Sequence, residues 1–353
     1  MEIPPRMQAV RIEAHGGLDQ LALREVPTPE PGPGEVLVEV RAAGLNHLDT
    51  WVRRGVPGHE FPLPLIPGCD GAGVVRAVGA GVRRARPGDE VILAPGLGCG
   101  VCAACIGGND PFCDDYGILG ETRDGTCAQF IAVPEANLLP RPPGVPWEVA
   151  GTYALVALTS WTMLIDRARL RPGETLLVLA GGSGVGSLAI QIGRSLGARV
   201  IATAGGAEKL QRLPELGADE TIDHNEEPIA ERVLALTGGR GADVVFEHVG
   251  EATWEQSLRS LAWGGRLVTC GATTGATASI HLRRLFFKSQ QIIGSTMGPR
   301  ANLHPLIALL EAGTLRPILT DTLPLDRLGE AHRLLEERGV FGKIAVLPPP
   351  LSP

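Results

Sequence analysis

Four cysteines, Cys99, Cys102, Cys105 and Cys113, fall within fifteen residues of a stretch rich in Gly, Asn and Asp. Four thiolates so close together can surround a tetrahedral Zn²⁺. A closed set of four leaves no position for water, so the expected role is structural, with one zinc per chain. Disulfides are the alternative reading, and a reducing compartment disfavours them. The second chemical signal is Gly181-Gly182-Ser183-Gly184-Val185-Gly186, which follows the apolar run LLVLA and precedes SLAIQIGRSLGA. Strand, glycine turn and helix in that order suit a pyrophosphate. Glycine lets the backbone approach the phosphates, and the helix N-terminus stabilises their charge.

That turn implies a nicotinamide dinucleotide. At the end of the next apolar run, RVIATA, a carboxylate would ordinarily grip the ribose diol of NAD. The chain instead reads Ala204-Gly205-Gly206, with Glu208 and Lys209 following. No acid stands there to exclude a 2′-phosphate, and Lys209 can pair with one, so NADP(H) is expected, with NAD still possible. Lys209 also reads as an ordinary solvated helix residue.

The elements that position these groups fall into three stretches. From Met7 to Pro140, short β-type runs (QAVRIEA, EVLVEVRAAG, GAGVVRAVG, DEVILA, AQFIAV) are punctuated by Gly and Pro, the pattern of an antiparallel, barrel-like domain. From Leu176, the runs LLVLA, RVIATA, DVVFEHV, RLVTCG and QIIGST alternate with helical patterns, as βα units of a parallel sheet do. After Met297 come a helix (HPLIALLEAG), an extended piece (LRPILTD), a second helix (DRLGEAHRLLEER) and a last strand (GKIAVLP). Residues 1 to 6 and the final PPPLSP are expected to be loose. The fold class is therefore α/β, a β-rich part joined to a doubly wound parallel sheet.

Composition narrows the partners. The 353 residues carry 32 Lys and Arg against 39 Asp and Glu, a net charge of −7. Nucleic acid and anionic membrane surfaces are disfavoured by that balance. The N-terminus has no apolar signal-like region, and no stretch of about 18 apolar residues occurs, so a cytoplasmic location and reduced thiols are expected.

Together these features resemble the medium-chain dehydrogenase/reductase superfamily, which includes zinc alcohol dehydrogenases and quinone oxidoreductases. The likeness runs from Met7 to Leu347. Its markers are AAGLNHLDT at 42–50, PGCDGAGVVRAVG at 67–79, RPGDEV at 86–91, the cysteine lobe, ALTSW at 157–161, the glycine turn, KLQRLPELGAD at 209–219, WGGRLVTCG at 263–271 and FGKIAV at 341–346. The resemblance implies a GroES-like catalytic domain over 1–155 and 299–353, with the zinc lobe at 95–115. It also implies a Rossmann NAD(P)-binding domain over 156–298 and hydride transfer to or from nicotinamide.

Where relatives with a catalytic zinc carry Cys and His-Glu ligands, this chain has Asn46 and Cys69-Asp70. His59-Glu60 lacks the glycine-rich successor such a pair needs and reads as an exposed loop. Asn46 and Asp49 match the Asn-x-x-Asp pattern of the zinc-free quinone oxidoreductases, whereas the cysteine lobe belongs to the alcohol dehydrogenase branch. The expected roles follow. Asn46 donates to a substrate carbonyl, His47 or water supplies the proton, and Asp49 orients its neighbours. Turn chemistry is the alternative for Asn46 and Asp49. By the same resemblance His224 flanks the 2′-phosphate, with a surface histidine at a strand end as the alternative, and Thr159 and Lys343 touch the cofactor, with packing or surface roles as theirs. Val249 and Gly271, at the ends of later strands, line the nicotinamide.

The favoured function is an oxidoreductase transferring hydride between NADP(H) and a small carbonyl, quinone or activated double bond. The alternatives are a zinc alcohol dehydrogenase with an atypical site built from His47, Cys69 and Asp70, and a non-catalytic NADPH-binding sensor or structural protein. QQIIGSTMG reads as the last strand of the parallel sheet, so a homodimer or homotetramer is expected through that edge.

Overall fold

The computed structural model describes residues 3–351, which form two compact units. One runs to Leu155 and resumes at Pro299, and the other is Val156–Gly298. Among the described residues no helix is long and apolar enough to cross a membrane.

In the first unit the strands are β1 (Arg6–Ile12), β2 (Leu21–Pro27), β3 (Glu35–Gly44), β4 (Asp70–Val78), β5 (Glu90–Leu93), β6 (Gly96–Leu97), β7 (Gly117–Ile118), β8 (Phe130–Pro134) and β9 (Leu138–Pro140). Strand β3 pairs antiparallel with both β4 and β8 and is buried along most of its length. That explains its nearly unbroken apolar run, since a strand covered on both faces has no use for alternation. Glu39, its one buried acid, is paired with Arg76 and Arg41. Helix α1 (His47–Arg54) begins three residues after β3 ends.

The second unit holds β10 (Thr175–Val178), helix α2 (Gly184–Ser195), β11 (Arg199–Ala204), β12 (Glu220–Asp223), β13 (Ala242–Glu247), β14 (Leu261–Thr269), helix α3 (Leu282–Phe287) and β15 (Gln291–Gly294). All six strands are parallel, in the order β12-β11-β10-β13-β14-β15. The order reverses direction between β10 and β13, the place where doubly wound sheets bind ligands at their strand ends. Leu177, Ile201, Ile222, Val245 and Leu267 fill this core without exposure.

The chain then returns to the first unit with β16 (Leu319–Pro324), helix α4 (Leu328–Glu336) and β17 (Lys343–Leu347). Strand β17 pairs with β3 at Ala345–Gly44 and Val346–Ala43, which brings the C-terminal part of the chain beside the start of α1.

The structure adds two elements to the sequence reading and corrects one expectation. Strand β2 is not legible in LALREVP, because its apolar residues do not alternate with its polar ones: Leu23 is exposed beside Arg24 and Glu25, and only Val26 is buried. Helix α1 falls on residues 47–54, where the sequence shows a site pattern and no long apolar periodicity. The PPPLSP tail is held where it is described: Gln129 donates to the Pro349 carbonyl at 2.9 Å, and Leu351 packs on the first unit's core. At the other end Ile3 packs on the same core. Residues 1, 2, 352 and 353 of those two tails lie outside the described residues.

Candidate active site and metal centre

The cysteine lobe begins after β6. Gly98 is required there, because a Cβ would stand 2.8 Å from Cys105 Sγ. The Sγ atoms of Cys99, Cys102, Cys105 and Cys113 all lie within 4.8 Å of one another, and Cys99 and Cys105 are 4.0 Å apart. None is disulfide-bonded. A tetrahedron with Zn–S bonds near 2.3 Å has edges of about 3.8 Å, so the donor set fits a single zinc. Backbone N–H groups already point at the sulfurs, from Cys102 to Cys99 at 3.4 Å and from Cys105 to Cys102 at 3.5 Å. Hydrogen bonds from Val101 and then Cys102 bring the Cys99 thiol down to about 7.

A second cluster gathers at the start of α1. Gly44 allows it: a Cβ there would meet the Gly151 carbonyl at 2.5 Å and Asp70 Cβ at 2.9 Å. Asn46 Nδ2 donates to Asp70 Oδ2 at 2.9 Å, and to Gly44 O and Cys69 Sγ at 3.3 Å. Lys343 Nζ donates to Leu45 O at 2.7 Å, to Asp70 Oδ2 at 3.3 Å and to Asn46 Oδ1. The other Asp70 oxygen accepts from Leu155 N–H at 2.7 Å. Lys343 is 3% and Asp70 0% exposed, so this ion pair is dry and every partner counts. Asp49 accepts from the Asn46 N–H at 2.7 Å and the Gly68 N–H at 2.9 Å, tying the helix start to the β4 approach. Burial pushes its carboxyl up to about 7 against those two bonds. Cys69 is held well above its ordinary range, first by burial and then by Asp49 and Asp70.

This geometry corrects several expectations. The Asn46 amide is spent inside the cluster on Asp70, Cys69 and Gly44, so it has no hydrogen left to donate to a substrate. Lys343 is likewise consumed at the Asn46 cluster rather than presented to a cofactor. His47 is exposed at the first turn of α1. His47, Cys69 and Asp70 do not form a metal cluster; among the described residues only the four cysteines do. The donor set at Asn46 does not fit a catalytic zinc. Its thiol is held protonated by burial, its carboxylate is already paired with Lys343, and a metal cation would be repelled by the Lys343 ammonium. His59 stands on an exposed turn 3.5 Å from Glu121, with its ring against Phe61.

In the second unit the glycine turn leaves β10 with Ala180, not a glycine, in the left-handed region at φ 45°. The glycines serve close approach. A Cβ on Gly186 would meet the Ala180 carbonyl at 2.5 Å, and one on Gly181 would meet Ile190 Cδ1 at 2.9 Å. Ser183 caps α2, its Oγ accepting from Gly186 N–H at 2.9 Å. Gly182 is buried in the turn, while Gly184 and Val185 open the helix, half-buried. Ser160, beside the buried Thr159, donates to the Val185 carbonyl at 2.9 Å and braces that first turn.

Val249 and Gly271 follow β13 and β14, paired neighbours, and lie at the same carboxyl edge as the turn after β10. Gly205 faces His224 and Asn225: a Cβ there would stand 2.9 Å from His224 Nε2 and 2.8 Å from Asn225 Nδ2. Lys209 lies in the next helix, Ala207–Arg212. An acid does reach this corner, from the adjacent strand. Asp223 closes β12, and its carboxylate lies 3.3 Å from the Gly206 N–H. Sequence order hid it, because Asp223 aligns with Ala204 only through strand pairing.

Two further residues escaped the sequence reading. Glu247, fully buried, accepts from the N–H groups of Val249 and Gly250 and from Thr253 and Ser257, and so shapes the turn after β13. Its neighbour His248 reaches the glycine turn, with Nε2 3.2 Å from Ser183 Oγ. No local pattern announced either contact.

Comparison with known proteins agrees with this architecture. Residues 32–143 match the alcohol dehydrogenase GroES-like domain, and residues 184–312 match the zinc-binding dehydrogenase family. A quinone oxidoreductase of Pseudomonas aeruginosa is 34% identical, over 96% of this chain and 99% of its own. The crystal structure of an NAD-dependent alcohol dehydrogenase is 47% identical with a TM-score of 0.94, covering 97% of this chain and 99% of that one. A cobalt- and zinc-bound thermostable alcohol dehydrogenase from Pyrobaculum aerophilum is 35% identical, with a TM-score of 0.89 over 97% of this chain and 100% of that one. With a GroES-like unit, a Rossmann-type parallel sheet and relatives of this length on both sides of the alcohol and quinone divide, the chain belongs to the medium-chain dehydrogenase/reductase superfamily and is an oxidoreductase.

Proposed function

We propose that the chain transfers hydride between NADP(H) and a small carbonyl, quinone or activated double bond, with one structural zinc and no catalytic metal. One observation carries this reading: the Lys343 ammonium, buried against Asp70 and Asn46, stands among the donors that a catalytic metal would need. When bound, the nicotinamide supplies or accepts the hydride. The residues at 181–186 hold the pyrophosphate through the helix N-terminus. Val249 and Gly271 flank the nicotinamide, with Thr159 close to the same turn. His224 and Lys209 receive the 2′-phosphate, a role supported by the His224 and Asn225 nitrogens facing Gly205. His47 moves the proton, since it is the exposed titratable group at the helix start. Asn46 and Asp49 hold that start in place, and Cys99, Cys102, Cys105 and Cys113 hold the zinc, which a reducing, cytoplasmic setting favours.

A second reading, NAD in place of NADP(H), is favoured by Asp223 at Gly206 and by the likeness to the 47%-identical NAD-dependent alcohol dehydrogenase. Titrating NADPH and NADH separates the two. Under the first reading NADPH binds more tightly, and His224→Ala with Lys209→Ala weakens it about tenfold without touching NADH. Metal analysis tests the rest: one zinc per chain with turnover of a quinone, enone or aldehyde panel supports the proposal, and two zincs overturn it.

The chain assembles as a homodimer or homotetramer in this reading. Strand β15 is an edge, and Trp263, Leu282, Phe286 and Phe287 are each more than 60% exposed. Solution mass measured for wild type and for Phe286→Asp with Phe287→Asp tests it, and a monomeric wild type refutes it.

A further inference from the structure

We propose that His248 is a positioning residue for the bound dinucleotide, acting through the hydroxyl of Ser183; this rests on the reading of residues 181–186 as the pyrophosphate cradle. His248 follows β13 and is 9% exposed. Its ring is set edge-on to the fully buried Phe246, with centroids 5.8 Å apart, so its orientation is settled by packing. Burial holds its pKa below the ordinary histidine range, against the pull of Glu247 and of the Leu179 and His248 carbonyls.

The tautomer follows from its partners. Nε2 lies 3.0 Å from the Leu179 carbonyl oxygen and 3.2 Å from Ser183 Oγ. A carbonyl can only accept, so Nε2 carries the proton and shares it between the two oxygens. Ser183 Oγ therefore accepts from His248, and it also accepts from the Gly186 N–H at 2.9 Å. Both of its lone pairs are engaged, and its own proton can go to neither neighbour. That hydroxyl is left as a committed donor at the first turn of α2, where backbone N–H groups and the helix dipole already favour an anion. A phosphate oxygen is the partner this arrangement suits. A serine at that position without the imidazole would sample several hydroxyl orientations, and the ligand would have to order it on binding.

Nothing in the local sequence pairs residue 183 with residue 248. The link exists because β10 and β13 are adjacent in the sheet, so the turn after one strand meets the residue after the other. Glu247 makes the placement firm by holding the backbone of Val249 and Gly250.

The test measures binding of NADPH, NADH and ADP-ribose to the full chain by titration calorimetry, with melting temperature as the folding control. His248→Leu and Ser183→Ala should each weaken all three ligands about tenfold or more, as loss of one hydrogen bond to a charged group does. The double variant should lose no more than the larger single effect, because both changes remove the same donor. His248→Gln, which keeps an N–H near the Nε2 position, should recover most of the affinity. Wild-type affinity in a folded His248→Leu chain, or losses that multiply in the double variant, would overturn the inference while leaving the cradle intact. Should His248→Leu fail to fold, Ser183→Ala with undiminished affinity refutes it equally. A wild type that binds none of the three ligands would remove the cradle itself, and the inference with it.

Discussion

The cysteine lobe and the cluster around Lys343 both gather sulfur or oxygen donors in one unit of the chain, yet they take their positive charge from different sources. In the lobe, four thiols converge with no basic side chain among them, and the backbone turns its N–H groups toward the sulfurs. Such a site is complete only when a cation arrives. Around Asp70 the cation is part of the chain: Lys343 reaches in from β17, and Asn46 bridges it to the carboxylate. A built-in charge closes the space that a metal would use. One set of donors is therefore arranged so that it could hold a metal ion, and the other is a brace.

The largest effect that would break this contrast concerns the lobe. Cys102→Ser should abolish zinc content and lower the melting temperature by about 10 °C or more, since a structural zinc site contributes folding energy directly. Calorimetry with metal analysis checks both, and a variant that keeps its zinc contradicts the lobe's assignment.

Next comes the brace. Lys343→Met should destabilise the chain by about 3–5 kcal/mol, because it leaves a buried carboxylate without its partner. Adding Asp70→Asn should recover part of that loss in urea unfolding. If the double variant is as unstable as the sum of the two singles, the pair is not the coupled unit described.

A smaller effect, resolved only across pH, sharpens the comparison from within the same unit. Asp49 keeps its proton to about pH 7 when folded, against an ordinary aspartate value of 3.8. The folded chain holds the extra proton between those values, so this contribution to stability falls as pH rises from about 4 to 7. His332 acts in the opposite direction. Fully buried on α4, with neither ring nitrogen bonded, it is pulled down to about 3 by burial and by Arg53. Its contribution is whole above 6.5 and is lost as pH falls from 6.5 toward 3. Asp49→Asn should flatten the first slope and His332→Phe the second, each read from unfolding midpoints between pH 4 and 8.

The smallest effect is expected at the exposed His59–Glu121 contact. His59→Ala should change stability by less than about 0.5 kcal/mol and leave the zinc count unaltered. A lost metal ion would show that the His59-Glu60 pair is more than a loop.

Much of the fold was legible because its signals are local. The runs 35–44 and 199–204 coincide with β3 and β11, and the glycine turn lies between its strand and its helix. Helix α1 could have been read from Asn46 followed three residues later by Asp49, with Arg53 and Arg54 in the last turn, which is a capping pattern as well as a site pattern. The partners of Asn46 were not legible for a different reason. Its amide is claimed by Asp70, and its carbonyl by a lysine 297 residues away, and no window of sequence contains both.

The sequence by itself determined the four-cysteine lobe, the glycine cradle and the succession of β-rich and βα parts, because each depends on residues close enough along the chain to meet by spacing alone. Only the tertiary structure decided that Lys343 belongs with Asn46 and Asp70, that Asp223 stands at Gly206, and that His248 holds Ser183. Strand pairing brings those residues together, and which strands lie side by side is a property of the whole sheet.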